Sequence, residues 1–412
     1  MKRAPQTLLA INNYFYRRGG AETVFFEHMQ LFNDADWRVV PFAMQHPENL
    51  ASAYTSYFVR EIEYGRRTSL TDKLSQAAKV IYSKEAQRNI TRLIEDVRPD
   101  IAHAHNVYHH ISPSIFPVLK QAGIPTVMTA HDLKLACPAY KMLSHDEVCE
   151  RCKGGRIYNV VRQRCIKDSV ALSGLVFLET LVHRSLGLYR DNLDRIVVPS
   201  RFYHEKLIEW GWPEDKLTYI PNFVDVGLAR APSQRGDYFL YAGRLSEEKG
   251  LVTLIEAIAQ AKQKLLIAGS GPLEQSLKQF VAKLGADVEF LGHLQADHLH
   301  RTINGATALV LPSQWYENAP MSILEGYILG VPVIGSRIGG IPELVREGVT
   351  GLLAEAGNVQ DLAEKIAQMA DINAQKRGAM AIEGAQWVRE AFSSVQYKQS
   401  MLELYASLKG AQ

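Results

Sequence analysis

The sequence predicts an α/β protein of two doubly wound halves, and three observations carry that prediction. Short apolar runs alternate with helical or loop segments along the chain, as parallel sheets joined by crossover helices require. Several runs end in glycine-rich turns that open helices, the arrangement that brings ligands to the carboxyl edge of a sheet. At 412 residues the chain exceeds what one core usually supports, and the same rhythm restarts after residue 237.

In order, Thr7–Ile11 reads as a buried strand that passes through Arg17-Arg18-Gly19-Gly20 into an amphipathic helix from Ala21. Gly19 and Gly20 let a phosphate or substrate approach backbone amides. The pair lacks the G-x-G-x-x-G spacing, which disfavours an NAD site. Further strands are expected at 37–43, 100–106, 126–130, 195–199 and 217–220. His131, with Asp132, follows one strand at its carboxyl end, where histidines tend to serve a site. His105 and Asn106 hold the same position one strand earlier and, with Arg17 and Arg18, are placed on the acceptor side of a shared rim.

Pro221-Asn222-Phe223-Val224-Asp225 and the polar stretch 229–237 read as a linker. The second half opens with a strand at Tyr238–Ala242, followed by Gly243-Arg244-Leu245-Ser246-Glu247-Glu248-Lys249-Gly250 and a helix from Leu251. Arg244 and Lys249 put two cations at one sheet edge, enough to neutralise a diphosphate. Strands at 264–268, 287–291, 308–312 and 331–335 follow, and residues 385–410 read as a helix strapping the halves together.

Between the last two of those strands lies Trp315-Tyr316-Glu317-Asn318-Ala319-Pro320-Met321-Ser322-Ile323-Leu324-Glu325-Gly326. Residues 320–329 read as a short helix with Pro in its first turn and Gly330 as its stop. Glu317 then sits at the helix mouth and Glu325 inside it. Eight residues at about 100° each would set both carboxylates on one side about 12 Å apart if both were helical. That span suits two hydroxyl-bearing ends of one ligand, with a phosphate at the helix amides between them.

The four cysteines, Cys137, Cys149, Cys152 and Cys165, fall in a 29-residue window with 11, 2 and 12 residues between them. A C-x₂-C core flanked by one thiol on each side suits a tetrahedral structural Zn²⁺ that folds a coreless insertion. Reduced thiols, disulfides and an iron–sulfur site stay open as other readings. Residues 170–189 form an apolar helix that belongs to the core or lies in a bilayer interface, with the core reading the commoner one.

Residues 1–223 carry 29 Lys+Arg against 24 Asp+Glu, and the remainder 17 against 20, so the halves differ as +5 and −3. That bias suits an anionic membrane surface or acidic substrate and is too small for a nucleic-acid partner. No window reaches eighteen uncharged apolar residues, and the start lacks a signal-peptide pattern. The chain is therefore expected in the cytoplasm, at most resting on the cytoplasmic face of the inner membrane.

Gly-Arg-Leu-x-x-Glu-Lys-Gly at 243–250, Glu-x₇-Glu at 317–325 and Gly-Gly-Ile-Pro-Glu at 339–343 occur in order, and with them the chain resembles the retaining glycosyltransferases of family 4. Gly19-Gly20-Ala21-Glu22, His131-Asp132 and Pro221-Asn222 add a weaker likeness in the first half. The resemblance implies a GT-B fold: two Rossmann-like domains facing each other across a cleft, with a C-terminal helix crossing back to the first. The expected divisions are an acceptor domain at 1–223 with the cysteine insertion 137–165, a donor domain at 224–392 and the crossing helix at 393–412.

The resemblance further implies a nucleotide-diphospho-sugar donor, UDP- or GDP-linked, and transfer of a hexose to a glycan or lipid-linked glycan without a catalytic metal. It assigns the donor diphosphate to Arg244 and Lys249, the sugar to Glu317, the ribose to Glu325 and a contact near the reacting carbon to His131. Gly19, Gly20, Asn318, Ala319, Pro320 and Met321 complete the donor set. Asn318 departs from the family, which usually carries an aromatic residue or Gly after the leading Glu. A nucleotide-sugar hydrolase or epimerase and a silent sugar-nucleotide-binding subunit are the rival readings.

Overall fold

The computed structural model describes residues 6–62, 70–145, 147–229 and 237–409. Most of the polar stretch 229–237, the first five residues and the last three fall outside them. Two parallel six-stranded sheets form the frame. The first contains β1 (Thr7–Ile11), β2 (Arg38–Phe42), β3 (Ile101–Ala104), β4 (Thr126–Thr129), β7 (Arg195–Val198) and β8 (Leu217–Tyr219), with a two-residue hairpin, β5 (Leu143–Ser144) and β6 (Glu147–Val148), set apart. The second contains β9 (Tyr238–Ala242), β10 (Lys264–Ala268), β11 (Val288–Gly292), β12 (Ala308–Leu311), β13 (Val333–Ser336) and β14 (Gly351–Ala354).

The strand orders are β2-β1-β3-β4-β7-β8 and β11-β10-β9-β12-β13-β14. Each reverses beside its first strand, at β1/β3 and β9/β12, which opens a crevice at the carboxyl edge of both sheets. The central strands are buried on both faces, as parallel sheets covered by helices must be. Alternate residues serve opposite faces: Leu9 and Ile11 join one apolar cluster and Leu8 another, as Leu240 does against Phe239 and Tyr241.

The expected α/β architecture is therefore the observed one, with three corrections. β14 lies in a stretch the sequence left unassigned, Gly351-Leu352-Leu353-Ala354, too short to carry a periodicity. The C-terminal helix is broken in two, Ala374–Ala391 and Ser394–Lys409. The break falls where the chain crosses the linker: the Val224 amide donates to the Phe392 carbonyl at 3.0 Å, and Val224 bridges Ser393. From there Tyr397, Met401, Leu404, Tyr405 and Leu408 form an i, i+4, i+7 stripe buried against Leu8, Val24 and Phe32 of the first half.

The third correction concerns the apolar helix, Val170–Ser185, which joins the core through Val176 and Phe177 alone. Ser173, Glu179, Thr180 and His183 face inward, whereas Val170, Leu178 and Leu181 are 54%, 49% and 43% exposed. The cause lies in the polar partners. Glu179 Oε2 receives Lys134 Nζ at 2.7 Å, and His183 Nε2 meets the Ile81 carbonyl at 2.7 Å, so the polar face is held and the leucines turn to solvent.

Candidate active site

The carboxyl edge of the second sheet opens on a cavity of about 540 Å³, lined among others by Arg244, Gly269, His293, Ser322 and Glu325 from the second half and Arg18 from the first. Gly269 holds φ +139°, and a Cβ there would sit 1.9 Å from the Gly243 carbonyl oxygen. Only glycine lets the two loops close on each other and present backbone to the cavity. Arg244 is exposed, and its guanidinium has no protein partner among the described residues.

Lys249 ends a short turn, Glu247–Lys249, that Gly250 closes in the left-handed conformation. Its ammonium lies 2.6 Å from Glu317 Oε1, which also accepts from the Ser313 hydroxyl at 2.7 Å, and 5.2 Å over the Trp315 ring. Glu317 is buried. Its second oxygen takes no protein donor among the described residues and is the one left for a ligand hydroxyl. Glu317 precedes the helix, which starts at Met321 with Pro320 as its cap and no side-chain bond to its first amides. Glu325 lies one turn in, half-buried with no protein donor among the described residues, and burial raises its carboxyl above the usual range.

Across the cleft, the helix Gly20–Asn33 starts at the expected glycines, both exposed and without a side-chain cap. Glu27 on this helix is a residue the sequence reading missed. Burial pushes its carboxyl up to about 7 against the pull of Arg17, and the nearby Glu325 adds to the rise. Its only sequence signal was a position on the helix that follows Gly-Gly. Arg18, expected on the acceptor side, instead stands in the wall of the cavity with Arg244, its guanidinium 4.4 Å over the Tyr14 ring. Arg17 is exposed over Phe26 at 5.7 Å.

His131 is half-buried at the end of β4, and burial lowers its imidazole to about 4, so it is neutral at pH 7. Its Nε2 lies 2.7 Å from His105 Nδ1. His105 is fully buried and stacked between His103 and His131, so it supports His131 rather than lining the rim. His105 Nε2 is buried without a partner. A bare lone pair there costs less than a stranded N–H. The network therefore assigns the shared proton to His105 Nδ1 and leaves His131 its own on Nδ1. Asn106 turns inward as well: its amide donates to Asn12 Oδ1 at 3.0 Å and its own Oδ1 is buried.

Two further donor-set residues are placed otherwise than expected. The Asn318 side chain donates to the Ala130 carbonyl at 2.9 Å and accepts from Ser200 at 2.9 Å, stapling the second half to the end of β4. Only its backbone remains for a ligand. Met321 packs in the apolar contact between the halves. Ala319 is buried, its carbonyl accepting from Asn222 at 3.0 Å.

The glycine motif at 339–343 serves the same junction. A Cβ on Gly340 would come 1.9 Å from the Asn318 oxygen, and Glu343 caps the helix Arg201–Glu209 by accepting from the Arg201 amide at 2.8 Å. Cys137, Cys149, Cys152 and Cys165 lie around one small cavity remote from these groups in sequence.

A diphosphate between Arg244, Lys249 and the open helix amides, with hydroxyls on Glu317 and Glu325, matches the charges and vacant acceptors of this edge. Comparisons with known proteins give the chain's family and fold. The family model "Glycosyltransferase Family 4" matches residues 18–228 and "Glycosyl transferases group 1" residues 230–387. An uncharacterized glycosyltransferase of Methanocaldococcus jannaschii is 30% identical over 230 residues, 55% of this chain and 64% of that protein. The amylovoran biosynthesis glycosyltransferase of Erwinia amylovora is 33% identical over 181 residues, 40% of this chain and 44% of that protein.

The chain thus spans less than two thirds of these curated relatives. Among solved structures, the sucrose-phosphate synthase of Thermosynechococcus elongatus matches with a TM-score of 0.74 at 19% identity, covering 99% of this chain and 100% of that one. Anabaena HepE in complex with UDP and glucose matches at 0.69 and 19%, covering 98% and 100%. The shared fold is the two-domain GT-B arrangement.

Proposed function

The chain belongs to Glycosyltransferase Family 4, and from that premise we propose that it transfers a hexose from a nucleotide-diphospho-sugar to a hydroxyl of a glycan or lipid-linked glycan, with retention at the anomeric carbon. The observation that carries the reading is that Arg244 and Glu325, neither with a protein partner among the described residues, line one cavity, with the Lys249–Glu317 pair in the same two segments of chain. Arg244, Lys249 and the amides opening Met321–Ile328 hold the diphosphate, Glu325 takes the ribose hydroxyls, and Glu317 orients the sugar. His131, neutral with its proton on Nδ1, donates to a sugar hydroxyl.

The acceptor hydroxyl enters from the side of the first half. It bonds to the anomeric carbon as the carbon–phosphate-oxygen bond breaks, on the face the diphosphate leaves, and its proton passes to the departing phosphate oxygen. The cations stabilise charge that builds on that oxygen, so the protein itself supplies what a metal supplies elsewhere. Titrating the purified chain with UDP, GDP and their sugars while following melting temperature tests the donor assignment. One nucleotide series should raise the melting point, and loss of that rise in Arg244→Ala should follow. A panel that leaves the melting point unmoved at millimolar ligand sinks the donor reading.

A membrane-borne acceptor suits the outward leucines. The exposed face of Val170–Ser185 carries Val170, Leu178 and Leu181, with Arg184 as its one exposed charge, and exposed Arg162, Arg164, Lys167 and Asp168 precede it. An apolar stripe beside cations fits an anionic bilayer surface. Among the described residues no helix is long and apolar enough to cross a membrane. Vesicles rich in phosphatidylglycerol should pull the chain down at low salt, and Leu178→Glu/Leu181→Glu should release it. Equal sedimentation of the double variant would assign the face another role.

A further inference from the structure

We propose that Cys137, Cys149, Cys152 and Cys165 bind one structural Zn²⁺, and that the metal holds the 137–165 insertion as a brace against both donor-side loops of the other half. All four cysteines of the chain line one cavity of about 10 Å³, and none is in a disulfide. The segment between them has almost no structure of its own to hold it: a two-residue hairpin, one short 3₁₀ turn and a four-residue helix. Ala139, Met142 and Val160 tie it to the apolar core of the first half.

Cys137 and Cys152 are buried and Cys149 and Cys165 half-buried around the same gap, so four thiols converge with no disulfide between them. Four tetrahedral Zn–S bonds of about 2.3 Å would release the protons and set the sulfurs roughly 3.8 Å apart. No cysteine triple is yet that close, so side-chain rotation must complete the site. His28, His103 and His105 do bring ligand atoms within 4.8 Å of one another. Five of their six ring nitrogens are already bonded, to Tyr397, Tyr405, Thr129 and His131, which leaves the cysteines as the metal candidate.

The insertion reaches both donor-side loops. Lys141 Nζ lies 3.2 Å from Glu248, the residue before Lys249. Glu150 accepts from the Tyr316 hydroxyl at 3.0 Å, one residue before Glu317, and from Lys206 at 2.7 Å. Glu150 sits between Cys149 and Cys152, so a C-x₂-C knuckle fixes the carboxylate that fixes Tyr316. The metal does not depend on the donor-site reading; the bracing role does.

Protein purified under reducing conditions should carry about one Zn²⁺ per chain by plasma mass spectrometry, lost in Cys149→Ser/Cys152→Ser. Should that variant fail to fold, Co²⁺-substituted wild-type protein decides, through sulfur-to-cobalt charge transfer and the intense d–d bands of a tetrahedral site. Folded, metal-free protein whose four thiols all react freely with an aromatic disulfide overturns the metal, and visible iron–sulfur absorption overturns zinc. Lys141→Ala/Glu150→Ala should raise the donor KM about three- to tenfold with zinc content unchanged. An unchanged KM overturns the brace alone. A chain with full zinc and no nucleotide binding would instead refute the donor assignment and leave the metal site standing.

Discussion

Replacing Arg244 or Lys249 by alanine lowers turnover about a hundredfold, the scale on which single donors to a departing anion act. The two variants should differ in stability. Arg244 is exposed and has no partner among the described residues, so Arg244→Ala removes charge from the cavity and leaves melting temperature unchanged. Lys249→Ala also strips buried Glu317 of its counter-ion at 2.6 Å, leaving a desolvated carboxylate, and the melting point drops. Steady-state kinetics with the donor identified by thermal shift, alongside melting curves, separates the two effects. Turnover near wild type in both variants would remove the diphosphate from this edge.

The second large effect is structural. Lys134 Nζ lies 2.7 Å from Glu179 Oε2, with side-chain exposures of 4% and 0%, and also donates to the Pro138 carbonyl at 3.0 Å. The pair pins the loop that carries His131 to the helix Val170–Ser185. Lys134→Met should remove about 3–5 kcal/mol from the unfolding transition of the first half, because Glu179 stays buried without its cation. Adding Glu179→Leu should restore most of that loss. Burial alone would raise the Glu179 carboxyl, but Lys134, with His109 and His183, holds it below its ordinary 4.5. Its contribution is therefore present above pH 4.5 and fades as pH falls through the lower folded value. Urea midpoints of wild type and variant should converge in acid; a constant gap would contradict the ion-pair account.

What the sequence could disclose followed from local rules. Strands buried on both faces and glycine turns at their ends are visible one segment at a time, and so are Arg244, Lys249, Glu317 and Glu325 in their motifs. The misplaced residues depend on partners far along the chain. His105 is buried because His131, 26 positions later, stacks on it. Asn318 looked like a donor residue until the Ala130 carbonyl, 188 positions earlier, claimed its side chain. The Val170–Ser185 helix reads as core by composition, yet Lys134 draws its polar face inward. Glu27 carried only the faint signal of its helix position, since burial in the folded chain and Glu325 of the opposite half raise its carboxyl.

The shared second-half motifs thus serve two ends. Arg244 and Glu325 line the cavity and Lys249 pairs with Glu317, whereas Asn318, Gly340 and Glu343 lock the loops of the second half to β4 and the helix Arg201–Glu209. Asn318 thus serves the junction between the halves through its side chain, apart from the charged groups of the cavity.

A crystal structure of the chain with the nucleoside diphosphate that stabilises it most tests the central claim most directly. The account predicts its phosphates within hydrogen-bond reach of Arg244 and Lys249 and its ribose hydroxyls on Glu325. A nucleotide bound at the first sheet, or one that leaves Arg244 and Glu325 facing solvent, would contradict it.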